Sequence, residues 1–324
     1  MSELRWHPLL REWVATATQR QERTFFPPPD YCPLCPTHPG GFPTEVPAET
    51  YDIVVFENKF PSLQRNPPPP EIEGTALEPV APAYGACEVV LYTPQHDATL
   101  AQSSLERIEH LVRVLRDRTR VLEARPGIAH VFPFENKGEA IGVTLSHPHG
   151  QIYAYPFVPP VVAREIAANQ AHRDAGGGCL FCDVRDAERA DGRRVIAEEP
   201  GWIAYVPFFA RYPYETHLVA TRCTPSLADL DDDGVRGLAR ILKRVLVAFD
   251  ALFSVSFPYI MAIHQAPADR AAPYHLHVEF YPPMRSAKRL KYLAGSEQGA
   301  GMYINDTLAE EKAAELRAVM PPAP

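Results

Sequence analysis

Two histidines two residues apart, followed by a carboxamide, carry the most chemical content in this chain. They stand in Ser146-His147-Pro148-His149-Gly150-Gln151-Ile152-Tyr153-Ala154-Tyr155. The segment reads as a strand, and a two-residue period puts His147, His149, Gln151 and Tyr153 on one face. Imidazoles and an amide are poor core material, so that face needs specific partners. A second cluster, Tyr274-His275-Leu276-His277-Val278-Glu279-Phe280-Tyr281, repeats the spacing with Glu in place of Gln. Four of the six cysteines form two CxxC pairs, Cys32 with Cys35 and Cys179 with Cys182. In a chain of this size that starts without a signal-peptide plan, such pairs favour metal over disulfide.

The two clusters belong to an internal repeat. His96 precedes His147 by 51 residues, and Cys223 precedes His275 by 52. Asn136 and His264 each stand 11 residues before the first His of the pair that follows. Each long interval opens on helical apolar spacing. Leu100, Leu105, Ile108, Leu111, Val112 and Leu115 predict a helix over Thr99 to Asp117, and Leu227 through Phe249 predict one over Ser226 to Leu252. Two similar α+β halves follow, with antiparallel sheets and flanking helices, packed side by side. The first covers 1–173 and the second 174–324, with Gly176-Gly177-Gly178 as the linker. Asp231-Asp232-Asp233 reads as a helix cap, Cys87 as a buried strand residue, and His217 as an ordinary hydrogen-bonded histidine.

Zn²⁺ takes four Cys or His ligands in a tetrahedron. The first half offers Cys32, Cys35, His96 and His147, and the second offers Cys179, Cys182, Cys223 and His275 by the same positions. Both would be closed structural sites, leaving His149 and His277 outside the metal. An imidazole beside a metal-anchored one is a candidate nucleophile near pH 7. One of its ring nitrogens must be held as a donor, with a backbone carbonyl the expected acceptor. Gln151, on the same face, could then donate amide protons to a phosphoryl oxygen.

Composition narrows the class. The 324 residues are 46% hydrophobic and 22% charged, with net charge -8. That balance excludes a wholly disordered chain. The chain lacks a Lys/Arg stripe for nucleic acid and an apolar run of about 18 residues for a membrane span. A cytoplasmic protein is the expectation. The 35 prolines, clustered at Pro27–Pro29 and Pro67–Pro70, predict irregular connections, the second cluster being an exposed loop.

The whole pattern resembles the galactose-1-phosphate uridylyltransferase family, a branch of the histidine-triad superfamily. The resemblance rests on Arg11-Glu12-Trp13-Val14 with Arg20 and Arg23, CPLC at 32–35, Val55 through Pro61, Tyr92-Thr93-Pro94-Gln95-His96, Phe134-Glu135-Asn136-Lys137-Gly138, HPHGQIYA at 147–154, Ser256-Phe257-Pro258-Tyr259 and His275 through Pro283. It implies two fused histidine-triad halves working as a homodimer. It also implies a ping-pong exchange, in which His149 takes UMP from UDP-glucose and passes it to galactose-1-phosphate. Gln151 would hold the phosphoryl group. Arg20 and Arg23 would contact phosphate, and Asn58, Phe60, Asn136 and Thr144 the nucleotide and sugar phosphate. Lys291, Tyr292 and Glu297 would reach the sugar from the partner subunit. Some members hold iron in the second half through Glu and three His, and here Glu165, His264, His275 and His277 match those positions. The second site is therefore zinc on the Cys set or iron on this one. The runner-up activity is a related nucleotidyltransferase or phosphorylase acting on another nucleoside-diphosphate sugar. Residues Thr144-Leu145-Ser146 and Tyr303 depart from the family pattern on the sugar-phosphate side.

Overall fold

The structure, a computed structural model, describes residues 2–22 and 31–324. Arg23 and the Pro27–Pro29 cluster lie outside the described residues. The first part of the chain holds β1 (Ser2–His7), β2 (Glu12–Ala17), β3 (Val54–Glu57), β4 (Val80–Pro82), β5 (Ala86–Leu91), α1 (Leu105–Glu123), β6 (His130–Lys137) and β7 (His149–Tyr155). The second holds α2 (Pro160–Asp174), α3 (Leu180–Asp191), β8 (Val195–Glu199), β9 (Trp202–Tyr205), β10 (Thr216–Ala220), α4 (Asp232–Phe253), β11 (Tyr259–His264), β12 (His277–Tyr281), β13 (Met284–Ser286), β14 (Arg289–Leu290), α5 (Gly295–Ala300) and α6 (Ala309–Ala318).

Nine strands form one antiparallel sheet in the order β3-β5-β7-β6-β11-β12-β10-β9-β8. The halves meet where β6 pairs with β11, at Asn136 opposite Ile260 and Phe134 opposite Ala262. Outward from that seam the order mirrors itself, so β7 with His149 corresponds to β12 with His277. The α+β class and antiparallel sheets match the sequence reading. The side-by-side halves share a continuous sheet, since the β6 and β11 edges satisfy each other's backbone groups.

Strand alternation sorts the chemistry onto one side. Val131, Ile152, Met261, Ile263, Leu218, Val278 and Phe280 face the core beneath α1 and α4. Their neighbours Asn136, Gln151, His264, His217, His277 and Glu279 therefore face the other way. Both helices begin later than the sequence predicts, because side chains cap them. Ser104 accepts from the Arg107 N–H at 3.2 Å, and Asp231 accepts from the Gly234 N–H at 2.8 Å. Residues 99–103 are thus turn, and Leu227–Asp229 is a separate 3₁₀ turn. Helix α1 also runs on to Glu123, because Thr119 and Leu122 extend its buried stripe. Pro67–Pro70 lies in a connection without helix or strand, as expected.

Candidate active site and metal centres

The site starts where β7 starts. His147 and Pro148 precede the strand, so His147 leaves the predicted strand face and, itself buried, turns into a half-buried cluster. There Cys32, Cys35, His96 and His147 bring their ligand atoms within 4.8 Å of one another, a group that could hold a metal ion. Cys35 Sγ lies 3.4 Å from His96 Nδ1 and 3.5 Å from His147 Nδ1. The other nitrogen of His147 faces the Thr93 carbonyl at 2.9 Å and Tyr51 Oη at 2.8 Å. Burial pushes the His147 imidazole down to about 4, so it is neutral at pH 7 as a ligand must be. Burial, with Cys32 close by, pushes the Cys35 thiol up to about 12, and only a cation in the cluster would reverse that.

The second half repeats the plan. Cys179, Cys182, Cys223 and His275 form a second such group. Cys182 Sγ is 3.4 Å from His275 Nδ1, and His275 Nε2 faces the Ala220 carbonyl at 2.8 Å. Cys179 caps α3 and Cys182 sits in its first turn, so a helix end aims this pair where a turn aims the first.

The two ligand sets weighed for the second half prove to be separate places. Glu165, His264 and His277 gather with Glu279, not with His275, into a third group that could hold a cation. Glu165 reaches it from α2 and accepts from Tyr274 Oη. His264 Nδ1 lies 3.2 Å from Glu165, and His277 Nε2 lies 3.4 Å from Glu279. Burial opposes charge on Glu279, yet His217, His264 and His277 hold its carboxyl well below the usual range. Glu279 is in neither ligand set read from the sequence, although its place in His-x-His-x-Glu puts it on the same strand face as His277. His217 is a buried, hydrogen-bonded histidine, as its sequence reading has it: Nε2 lies 3.1 Å from Glu215 and 3.5 Å from Glu279.

His149 opens β7 and donates Nδ1–H to the His147 carbonyl at 2.8 Å. A carbonyl only accepts, so the lone pair of the neutral ring belongs to Nε2. Two clefts meet at this residue, and Tyr31 and Leu145 line both. One, of about 310 Å³, is bounded by Asn136, Lys137, Thr144 and Ser256 among others. The other, of about 170 Å³, has Arg20, Phe56, Asn58, Phe60 and Gln151 in its wall. Asn58 Oδ1 accepts from the Phe60 N–H at 2.9 Å, which leaves its amide to donate to Gln151 Oε1 at 3.3 Å. Arg20 is anchored by Ser62 Oγ at 2.9 Å and the Phe60 carbonyl at 3.3 Å.

The 291–297 segment divides. Tyr292 is 73% exposed, but Lys291 and Glu297 are buried and paired at 3.1 Å. Lys291 also donates to the Ile304 carbonyl, so within one chain this pair holds the following loop in shape. Tyr51 and Tyr31 had no signal in the sequence, being single tyrosines in irregular connections.

Among the described residues no helix is long and apolar enough to cross a membrane. Residues 1–159 match the family pattern described as galactose-1-phosphate uridyl transferase, N-terminal domain, and residues 165–322 match its C-terminal domain. A galactose-1-phosphate uridylyltransferase of Thermotoga maritima is 39% identical over 320 residues, covering 98% of both chains. One of Streptomyces lividans is 43% identical over 270 residues, covering 82% of this chain and 70% of the other. A solved structure described as uridylyltransferase superimposes with a TM-score of 0.87 at 35% identity, covering 98% of both chains.

Proposed function

Because the chain belongs to the galactose-1-phosphate uridylyltransferase family, we propose that its His149 carries a uridylyl group from UDP-glucose to galactose-1-phosphate. The enzyme is a transferase of galactose metabolism. His149 Nε2 attacks the α-phosphorus of UDP-glucose, forming a phosphorus–nitrogen bond. The bond to the bridging oxygen breaks, and glucose-1-phosphate departs with the electron pair. A phosphate oxygen of galactose-1-phosphate then attacks the same phosphorus. The phosphorus–nitrogen bond breaks, its pair returns to Nε2, and UDP-galactose leaves. The 2.8 Å contact from Nδ1–H to the His147 carbonyl carries this reading. It fixes the nucleophilic tautomer, and the carbonyl dipole offsets the positive charge the ring gains in the adduct.

Other roles follow from placement. Gln151, its carbonyl oxygen engaged by Asn58, offers its amide protons to the phosphoryl group. Phe60, Arg20 and Asn58 wall the cleft suited to the nucleotide. Arg23, outside the described residues, joins Arg20 in this scheme. Asn136 and Thr144 wall the cleft suited to the sugar phosphate. The enzyme acts as a cytoplasmic homodimer of 1–173 and 174–324 halves, and exposed Tyr292, with Lys291 and Glu297 behind it, completes the partner's sugar site.

Zinc suits both cysteine groups. A tetrahedral zinc with bonds of about 2.3 Å to sulfur and about 2.0 Å to nitrogen spaces those donors about 3.5 Å apart. The Cys35, His96 and His147 atoms already stand at 3.4 and 3.5 Å. Of the three cluster imidazoles, His147 and His275 turn their other nitrogen to a backbone carbonyl and His96 turns its to Ser146 Oγ, the usual kind of support behind a metal-bound histidine. Bound zinc would supply rigidity, holding the carbonyl that orients His149. Iron suits the nitrogen and oxygen donors of Glu165, His264, His277 and Glu279.

The deciding experiment incubates the protein with UDP-glucose labelled in the uridine, with no acceptor. Protein-bound label and one equivalent of glucose-1-phosphate are expected. Label that never becomes covalent, with turnover intact once acceptor is added, would replace this scheme with direct transfer.

A further inference from the structure

A buried polar device lies behind the nucleophile strand, and the mechanism above does not use it. Gly150 stands between His149 and Gln151, with its α-carbon turned to the helix-covered side of the sheet. A Cβ there would meet Tyr92 Oη at 2.1 Å and the Phe134 carbonyl at 3.1 Å. The glycine is thus required by a phenol pressed against the strand. Tyr92 is 3% exposed. It lies just beyond β5 and accepts Arg107 Nη1 on its carbonyl at 3.0 Å, and its N–H reaches the Pro148 carbonyl at 3.4 Å. Its hydroxyl lies close enough to Glu135 of β6, a residue 4% exposed, for the carboxylate to oppose ionisation of the phenol. The Tyr259 hydroxyl donates to the same carboxylate at 3.2 Å from β11.

Glu135 is buried but also borders the cleft of about 310 Å³ that His149 lines, and a carboxylate so far from water is costly. Burial pushes the Glu135 carboxyl up to about 7. A buried polar network gives one defined arrangement where apolar packing gives several. The arrangement it defines is at the right place: Leu91 pairs with His149, Val90 with Gly150, and Phe134 with Gln151. Resting on the reading of His149 as nucleophile, we infer that Tyr92 and Glu135 are positioning residues. Together they brace the backbone at Gly150 and so set the height of His149 and Gln151 in the two clefts.

One imidazole serves both half-reactions, so a displaced His149 slows both alike, which a loss of stability alone does not do. Tyr92→Phe removes a single oxygen. It should slow uridylylation by UDP-glucose and transfer to galactose-1-phosphate by the same factor, about 10-fold to 100-fold. KM values should stay within about twofold and the protein folded by melting. Glu135→Met reads the contact from the other side and should give the same equal slowing. Glu135→Gln can accept from one hydroxyl and donate to the other, and should recover most of the rate lost in Glu135→Met. Wild-type protein runs alongside: if it forms no adduct, the His149 reading itself fails. If it does, full-rate Tyr92→Phe, slowing of one half-reaction only, a KM rise for one substrate, or loss matching the unfolded fraction overturns the brace. Should one variant not fold, the other decides by the same equality.

Discussion

The carbonyl oxygen of His147 lies 2.8 Å from Nδ1 of His149, and the second half repeats the contact between His275 and His277 at 2.9 Å. The same local geometry meets different surroundings. His149 lines two clefts, whereas Nε2 of His277 lies 3.4 Å from Glu279 and 3.9 Å from Glu165. One half has clefts beside this histidine, and the other sets carboxylates beside its counterpart.

His149→Asn therefore tests the division of labour. Its amide can still bond the His147 carbonyl, but no lone pair reaches phosphorus. No label should be trapped from UDP-glucose, and turnover should fall by about 10⁴-fold or more. His277→Asn should lower the melting temperature while label is still trapped. Adduct on the first variant, or none on a folded second variant, would contradict this assignment. Labelling followed by peptide mapping reads both.

Asn58 should act through Gln151. The Phe60 N–H fixes which end of the Asn58 amide is oxygen, at 2.9 Å, so the donor end meets Gln151 Oε1. Asn58→Asp puts a second acceptor there and turns the Gln151 amide round. Both half-reactions should slow toward the about 100-fold expected when one transition-state donor is lost, as in Gln151→Ala. Burst kinetics at saturating UDP-glucose measure it, and an unchanged burst would remove Asn58 from the chain of contacts.

Much of this site was legible as spacing. The 51- and 52-residue intervals fall on equivalent cysteine and histidine positions because the halves share one topology, so a ligand's place in the repeat predicts its place in space. Strand alternation found His149 and Gln151. It failed for His147, because Pro148 keeps that residue out of the strand and a two-residue period holds only inside one. It also failed to separate the second and third clusters. His275 and His277 look alike in sequence, but His277 is in β12 and His275 is not, so their rings point to different groups. Tyr51 and Tyr92 act through contacts 96 and 58 residues away in sequence, which no local pattern encodes.

The two cysteine groups should be separable by metal analysis. Cys35→Ser should remove one equivalent of zinc per chain and cut turnover, because His147 then loses the anchor of its carbonyl. Cys182→Ser should remove one equivalent and lower the melting temperature, with adduct formation retained. Tyr51→Phe deletes the hydroxyl 2.8 Å from His147 Nε2 and should weaken zinc retention at the first site about 10-fold. Competition with a chelator, followed by elemental analysis, gives these values. Equal zinc content in wild type and Cys35→Ser would refute the first site.

His130 supplies a pH test away from the chemistry. Its ring is fully buried, and neither nitrogen has a hydrogen-bond partner among the described residues. Burial first, then His264, push it down to about 3; Glu165 pulls the other way and Arg270 adds a smaller push down. Below its unfolded value of about 6.5 the unfolded chain binds a proton that the native ring refuses. Stability from this group is therefore highest above about pH 6.5 and falls as pH drops toward 3. His130→Leu removes the proton-binding difference and also the cost of a buried unpaired polar ring, about 1–3 kcal/mol. The variant should melt higher than wild type at pH 8, by a gap that stays constant down to about pH 6.5 and widens at pH 6 and pH 5. Melting curves at those values decide it. A gap that does not change with pH means His130 titrates alike in both states, and a variant less stable at pH 8 means the ring makes contacts worth more than its unpaired nitrogens cost.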